Sequence, residues 1–306
     1  IFATVGSGVV NLYNLRKIIT IKYFSNYDFK RHLKPMMTFF ITTIAVAFYV
    51  NVSVALLGFI QGNEEVGYYN AAYRIKDVMV SIVTSLGAVL LPRLSYYIEN
   101  NMWDKFNNIL SKSTQFIFIL SLPLVVFCIL FAKPSVLILA GSAYSGSIIP
   151  LQVLALIIFI VGLSNLTGIQ MLIPLKKEKY LCYSVVIAAV INMVLNLILI
   201  PEYGAIGAAV SVMVAESSIL IYQIYILRAY SQVLFGGISY MRIIMALTLA
   251  ISVSIWLNIN LSYNEIIVFL VSASLFFICY LGVLLLSKEP FIFTILNQIR
   301  SKLTKN

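Results

Sequence analysis

The chain has 306 residues, of which 61% are hydrophobic and 10% are charged, and its formal net charge is +10. A soluble domain cannot bury that much apolar surface, so the composition excludes a soluble globular fold and predicts a polytopic membrane protein. The positive charge would suit a nucleic-acid-binding protein, but its distribution along the chain indicates another origin.

Apolar segments of membrane-spanning length follow one another along the chain. A helix rises 1.5 Å per residue, so about 20 apolar residues cross a ~30 Å hydrocarbon layer. The chain begins with Ile1 inside an apolar segment, and we expect it to be the C-terminal portion of a longer protein. The sequence predicts an all-α transmembrane bundle with the tail of one helix at 1–15 and eight complete spans, at 36–60, 75–97, 113–132, 147–173, 180–200, 205–228, 242–258 and 264–287.

The first two complete spans form a predicted hairpin with a polar turn at Gln61–Glu65. In the second span, polar and small residues recur at helical spacing on one side of the helix. Lipid offers such groups no partner, so this stripe is expected to pack against neighbouring helices or to line a cavity. The stripe consists of Arg74, Asp77, Ser81, Ser85, Ala88, Pro92 and Ser95.

The basic residues are distributed unequally between alternate loops. Arg74, Lys76 and Lys133 fall in one set of loops, and the remaining 18 of the 21 Lys and Arg residues fall in the other set. The positive-inside rule places the second set, together with the C-terminus, in the cytoplasm. The charge therefore indicates a multi-pass protein of the cell inner membrane in contact with anionic lipids, and not a partner of nucleic acid.

Charged residues at membrane depth are the first candidates for function. A charge near mid-membrane costs a few kcal/mol, so Glu216 is either a proton- or ion-linked carboxylate or a neutral or paired group that locks helix packing. Asp77 is the second candidate for ion coupling. Arg74 either pairs with Asp77 at the interface or faces an anionic substrate, because its guanidinium can donate two parallel hydrogen bonds to phosphate. Lys76 points away from the stripe and is expected to anchor at the interface.

Polar uncharged residues form a second group of candidates. Asn51 and Ser53 interrupt the first complete span, and Asn192 and Asn196 are spaced i,i+4 on a later one. These side chains either form interhelical hydrogen bonds or contact a sugar. Arg93, near the cytoplasmic end of its span, either contacts substrate or follows the inside-positive bias. We therefore take Asn51, Arg93, Asn192 and Asn196, with Arg74, as candidate substrate-binding residues.

Several stretches of the chain resemble Wzx-type polysaccharide flippases, a family related to MATE-type exporters and the lipid II flippase. The resemblance covers essentially the whole chain. The stretches that carry it are Lys30–Pro35, Ala55–Phe59, Val66–Ile75, Val89–Ser95 and the later hairpin from Pro201 through Glu216.

The resemblance implies a two-lobed transporter with six helices in each lobe and two extra C-terminal helices. On that plan the chain is one membrane domain, 1–306, that contains the second lobe and the extra pair. Family members often carry an acidic residue near Asn51, where this chain has an amide. The implied segments are 1–15, the tail of a preceding helix; 16–35, a basic cytoplasmic loop; 36–230, the second lobe; and 231–306, the extra helices and a basic tail.

The resemblance also implies a function: flipping of undecaprenyl-diphosphate-linked oligosaccharide repeat units across the membrane, by alternating access, for O-antigen or capsule synthesis. The implied partners are this substrate, membrane lipids and other polysaccharide assembly proteins. A MATE-like exporter of small molecules would have the same architecture. A membrane-embedded polymerase is a third hypothesis, which the short outer loops disfavour. The sequence shows no catalytic motif, metal-ligand spacing or P-loop, so neither enzymatic activity nor a cofactor is expected.

Overall fold

The structure is a computed structural model that describes residues 6, 8, 10, 13–15, 29–85, 87–260, 265–294 and 297. Helices account for nearly all of these residues, and no strand occurs among them, which confirms the all-α prediction. The helices are α1 (Phe29–Ile60), α2 (Asn63–Thr84), α3 (Gly87–Glu99), α4 (Trp103–Leu130), α5 (Ala132–Leu139), a 3-10 helix (Ser142–Ser147), α6 (Ile148–Asn165), a π-helix (Leu166–Leu172), α7 (Glu178–Ile226), a second 3-10 helix (Arg228–Tyr230), α8 (Ser231–Phe235), α9 (Tyr240–Asn260) and α10 (Glu265–Leu286).

Contacts divide the chain into two compact units, Ile1–Met37 and Thr38–Asn306. The described residues of the first unit are helical. The second unit contains every span from α2 onward. The predicted division into a second lobe at 36–230 and an extra pair at 231–306 stays a prediction.

Seven helical segments of the described chain are long and apolar enough to cross a membrane. One of them is α7, whose 49 residues are interrupted at Gly204 by a non-helical backbone with φ of 51° and ψ of −128°. Ser184 and Gln223, which flank Gly204 at nearly equal distances along the chain, are joined by a hydrogen bond of 3.3 Å from Gln223 Nε2 to Ser184 Oγ. The two halves of α7 therefore lie side by side as a helical hairpin, and the bundle agrees with the eight predicted spans.

Glycine is required at two points in the tip of the α7 hairpin. The positive φ of Gly204 lies in the region that L-residues with a Cβ rarely adopt. A Cβ at Gly207 would collide with the backbone carbonyl of Leu199. The absence of side chains at these two positions lets the chain reverse direction and the two halves of α7 approach closely at the tip.

The first hairpin, α1–α2, turns over only two residues. Gly62, at φ 92°, precedes the first residue of α2. The polar turn was predicted to extend through Glu65, and the second span was predicted to start at residue 75. Both boundaries are wrong, because Glu64 and Glu65 already lie in the first helical turn of α2. Carboxylates are favourable there, since the N-terminus of a helix carries partial positive charge.

The tips of the two hairpins contact each other. Gln61 Nε2 donates hydrogen bonds to the carbonyl oxygens of Ile200, at 3.1 Å, and Pro201, at 2.8 Å. The backbone N–H of Ala205 donates to Glu65 Oε2 at 2.6 Å. The backbone groups freed by the break in α7 are therefore satisfied by the first hairpin, as buried helix ends require. We call this end of the bundle the hairpin-tip end.

The buried residues of the bundle form two clusters. Near the hairpin-tip end, small residues such as Ala72, Ala205 and Ala208 are fully or almost fully buried, which allows α2 and α7 to approach closely. The larger cluster of buried residues is mostly aliphatic and includes aromatic side chains such as Phe106, Phe276 and Tyr280. There, α10 packs against α4, and Tyr280 Oη donates a hydrogen bond of 2.9 Å to the carbonyl oxygen of Ile119.

Candidate substrate site and interior network

The predicted polar stripe of α2 is exposed in the described chain. Arg74, Asp77, Ser81 and Ser85 all lie on the surface, and we call these four residues the exposed face. The hydroxyls of Ser81 and Ser85 donate to carbonyl oxygens three residues earlier, at 2.7 and 2.8 Å. The two serines are thus satisfied by their own helix. The two charged residues, Arg74 and Asp77, therefore distinguish the exposed face from an ordinary helix surface.

Arg74 lines a cleft of about 710 Å³ at the hairpin-tip end of α2. Most of the lining is apolar, and the volume is within the range of ligand sites, ~300–1,000 Å³. Arg74 makes no ion pair or hydrogen bond with any other described residue. The cleft therefore presents an uncompensated cation on a membrane span. Its walls include Gly67, Asn70, Arg74 and Val78 from α2, with Leu139 and Tyr144 opposite.

Asp77 is paired with Lys76 instead of Arg74. The distance from Lys76 Nζ to Asp77 Oδ1 is 3.6 Å, and the Asp77 side chain remains 65% exposed. Lys76 is only 4% exposed, and its Nζ lies 3.6 Å from the centroid of the Tyr73 ring. The expectation that Lys76 anchors at the interface is therefore wrong. Its ammonium is held inside the bundle by a carboxylate and an aromatic face.

A second set of polar side chains is buried where α1 meets both halves of α7. Tyr49 Oη donates a hydrogen bond of 2.8 Å to Glu216 Oε1. Asn196 Nδ2 donates to Ser53 Oγ and to Asn192 Oδ1, both at 2.9 Å. Ser53 Oγ also donates to Asn192 Oδ1 at 3.3 Å. We call these five residues the interior network, and none of them is more than 9% exposed.

The interior network confirms the prediction of interhelical hydrogen bonding for Ser53, Asn192 and Asn196. Asn192 Nδ2 and Asn196 Oδ1 have no hydrogen-bond partner among the described residues. Both asparagines are fully enclosed, so their amides do not face a cavity in this conformation. Their predicted contact with substrate stays a prediction.

Glu216 is the carboxylate of the interior network. It accepts the hydrogen bond from Tyr49 and interacts electrostatically with the buried ammonium of Lys76. These contacts compensate part of the cost of placing a carboxylate within the bundle. The arrangement is compatible with either hypothesis for Glu216, a titrating group or a packing group.

Two candidate residues lie outside both the cleft and the interior network. Asn51 is exposed, and its Nδ2 donates to the carbonyl oxygen of Ala47 at 2.7 Å. Arg93 is exposed on α3 and makes no ion pair with the described residues. The predicted substrate contacts of these two residues stay predictions.

Sequence reasoning did not identify Tyr49 or Tyr144 as site residues. Tyr49 precedes Ser53 by four residues and so shares its helix face, a spacing that could have linked the two. Tyr144 lies at 133–146, between two predicted spans, in a segment that is largely helical in the structure. No local signal places Tyr144 in the same cleft as Arg74, because that placement depends on how the segment folds back against α2.

Comparison with solved structures identifies the class of fold. The structure of the lipid II flippase MurJ, in its inward closed conformation, matches with a TM-score of 0.64 and 16% sequence identity. The match covers 91% of this chain and 59% of the MurJ chain. The chain therefore has a helical fold similar to that of MurJ over most of its length.

Sequence comparisons find a matching family model and similar curated proteins. A family model described as "Polysaccharide biosynthesis protein" matches residues 1–149. The "Putative O-antigen transporter" of Escherichia coli (strain K12) is 27% identical over 192 residues, which are 63% of this chain and 46% of that protein. The protein of the same name from Shigella dysenteriae is 27% identical over 221 residues, 71% of this chain and 54% of that protein.

The chain spans about half the length of these curated relatives. Together, the family match and the relatives confirm the resemblance to Wzx-type polysaccharide flippases over the part of the chain that they cover.

Proposed function

We propose that this protein takes part in flipping undecaprenyl-diphosphate-linked oligosaccharides across the cytoplasmic membrane for surface polysaccharide synthesis. The observation that carries the proposal is Arg74, an exposed and uncompensated cation in a mostly apolar cleft on a membrane span. A charge in contact with lipid would cost about 2.5–3.5 kcal/mol, so the cleft must face water or an anionic ligand. A diphosphate fits a guanidinium because two parallel hydrogen bonds can form.

The exposed face supports a two-lobed transport cavity. A sugar headgroup cannot cross hydrocarbon unaided, because its hydroxyls would lose their hydrogen bonds. Arg74 and Asp77 must likewise be kept from lipid, and no described element covers them. The other lobe of the two-lobed plan, facing α2, would enclose a hydrated passage for the sugar while the lipid tail stays outside. Rocking of the two lobes would then give alternating access.

The distribution of charge supports the orientation. The loops that hold 18 of the 21 basic residues, and the C-terminus, lie on the cytoplasmic side in this proposal, and the hairpin-tip end faces outward. The cleft with Arg74 then opens in the outer half of the membrane. Anionic lipids of the inner leaflet and other polysaccharide assembly proteins are the expected partners.

The remaining candidate residues take the roles predicted from the sequence. Glu216 and Asp77 are the proposed coupling carboxylates, and both interact with Lys76. Asn51, Arg93, Asn192 and Asn196 are the proposed further contacts of substrate, reached as the lobes change conformation. The protein acts as a transporter and not as an enzyme in this proposal.

The first test asks on which face of the membrane the substrate accumulates. Deletion of the gene should leave lipid-linked repeat units on the cytoplasmic face of spheroplasts, with loss of surface polysaccharide. Single repeat units on the outer face would instead identify a polymerase. Unchanged pools on both faces would identify an exporter of other molecules.

The second test removes the cation of the cleft. Arg74→Ala should lower export of repeat units about 10- to 100-fold, because a charge-assisted hydrogen bond contributes about 1.5–3 kcal/mol. Membrane abundance should stay unchanged, since Arg74 makes no ion pair or hydrogen bond with the described residues. Lys133→Ala, which removes an exposed cation outside the cleft, is the matched control. Equal losses of export and abundance would make Arg74 a packing residue.

A further inference from the structure

The cleft contains more than a cation. Tyr144, in the 3-10 helix Ser142–Ser147, faces α2 across the cleft and is 39% exposed. Asn70 lies on the same wall as Arg74, and its side chain makes no hydrogen bond with the described residues. An aromatic ring, a free amide and a guanidinium thus line one largely apolar cleft.

The Tyr144 ring is held in place by its neighbours. A Cβ built on Gly67 would lie 3.5 Å from Tyr144 Cε1, so the ring rests directly on the backbone of α2. The rings of Tyr68 and Tyr144 are nearly perpendicular, with centroids 6.4 Å apart and an interplanar angle of 84°. Tyr68 is itself seated against Gly146, where a Cβ would come within 2.7 Å of its ring, and its hydroxyl donates to Glu64. The orientation of Tyr144 is therefore fixed before any ligand binds.

The order of these groups along α2 matches the order of groups in a glycosyl diphosphate. Gly67, which marks the position of Tyr144, and Arg74 are seven residues apart, or about 10 Å along the helix. Asn70 lies between them. That separation is of the order of one sugar ring plus a phosphate group. The ring stands at the hairpin-tip end, and the cation stands deeper in the span.

Each group also has the chemistry that its position would require. The face of an aromatic ring carries partial negative charge and attracts the C–H groups on the apolar side of a sugar ring. A primary amide offers two donors and an acceptor, which suits vicinal hydroxyls. We propose that Tyr144 and Asn70 form a subsite for the sugar attached directly to the diphosphate, and that this subsite distinguishes glycosylated lipid from the bare lipid carrier. The inference rests on the proposed function, because it assigns the diphosphate to Arg74.

The test compares two ligands on the purified full-length protein. One is the lipid-linked oligosaccharide extracted from the source strain, and the other is undecaprenyl diphosphate without sugar; binding is measured by native mass spectrometry with titration. Tyr144→Ala should weaken binding of the glycosylated lipid about 2- to 10-fold, the usual size of a specific aromatic contact, and leave undecaprenyl diphosphate unaffected. Asn70→Ala should act in the same direction, and Arg74→Ala should weaken both ligands.

Two further variants distinguish an effect of the aromatic ring from an effect of side-chain volume. Tyr144→Phe keeps the aromatic face and should bind both lipids as the unmodified protein does. Tyr144→Leu keeps an apolar side chain without the ring and should behave like Tyr144→Ala. If Tyr144→Leu retains the preference for glycosylated lipid, or if Tyr144→Ala weakens both ligands equally, the sugar subsite is wrong. If the unmodified protein binds neither lipid, the proposed function itself is wrong.

Discussion

The exposed face of α2 and the interior network are both polar, and both lie within membrane spans, but their surroundings differ. In the most apolar stretch of 63–99 only 12% of residues are buried. Every member of the interior network, by contrast, is at most 9% exposed. Arg74 finds no partner within the described chain, whereas Ser53 exchanges hydrogen bonds with two asparagines of α7.

This difference indicates two uses of polar side chains in one bundle. Interior hydrogen bonds between helices fix which faces of α1 and α7 meet, because an unpaired amide in a dry core is costly. Polar groups on an uncovered face cannot serve that purpose and are left for contact with water, ligand or another lobe. Substitutions in the two regions should therefore separate stability from transport.

The largest expected effect comes from Gly207 in the tip of the α7 hairpin. Gly207→Ala places a methyl group against the carbonyl of Leu199. Because backbone cannot move aside as a side chain can, we expect a loss of about 3 kcal/mol, the upper end of overpacking costs. Thermal unfolding in detergent measures the loss. Gly282→Ala is the control, since nothing lies within 4 Å of a Cβ there. Equal stability of the two variants would contradict the packing of the tip.

The next effect compares two asparagines with different environments. Asn196→Leu removes hydrogen bonds to Ser53 and Asn192, and it should lower the free energy of unfolding by about 1–2 kcal/mol. Asn51→Leu loses only a bond within its own helix and should change stability by less than about 0.5 kcal/mol. Thermal unfolding of both variants checks the contrast. A greater loss for Asn51→Leu would reverse the assignment of interior and exposed positions.

The last substitution, at Glu216, tests transport more than stability. Glu216→Gln keeps an oxygen that can accept the hydrogen bond from Tyr49 Oη. The free energy of unfolding should therefore change by less than about 1 kcal/mol. Transport should nevertheless lose part of its pH dependence if this carboxylate titrates during the cycle. Lys76, Tyr49, Tyr69 and Tyr73 also interact with Glu216. Tyr49→Phe, which keeps the carboxylate, should preserve a pH-dependent profile. An unchanged profile in Glu216→Gln would remove Glu216 from the transport mechanism.

Hydropathy and spacing predicted much of the fold. Each span has enough apolar residues to be recognised alone, and the tip at Pro201–Gly204 combines the two residues that most often interrupt helices. The spacing of Arg74, Asp77, Ser81 and Ser85 also predicted correctly that these residues lie together on one side of α2 and of the residue that caps its C-terminus.

Contacts between distant segments could not be predicted in the same way. Ser53 and Asn192 are separated by 139 residues, and nothing in either local stretch identifies the other as its partner. The burial of Lys76 likewise depends on the rotation of α2 about its own axis relative to the bundle. Helical periodicity alone does not determine that rotation. The partly exposed ring of Tyr144 could be placed only when the segment 132–147 was known to fold against α2.

The contacts between the hairpin tips also bear on how the protein is assembled in the membrane. Gln61 precedes Ile200 by 139 residues, so α1–α2 is synthesised well before the hairpin that it completes. When α7 inserts, Gln61 is already in place to donate hydrogen bonds to the freed carbonyl oxygens of its turn, and Glu65 to accept one from a freed backbone N–H. The first hairpin thus acts as a template for the second, and insertion of α7 without it would leave that turn dependent on water at the membrane surface.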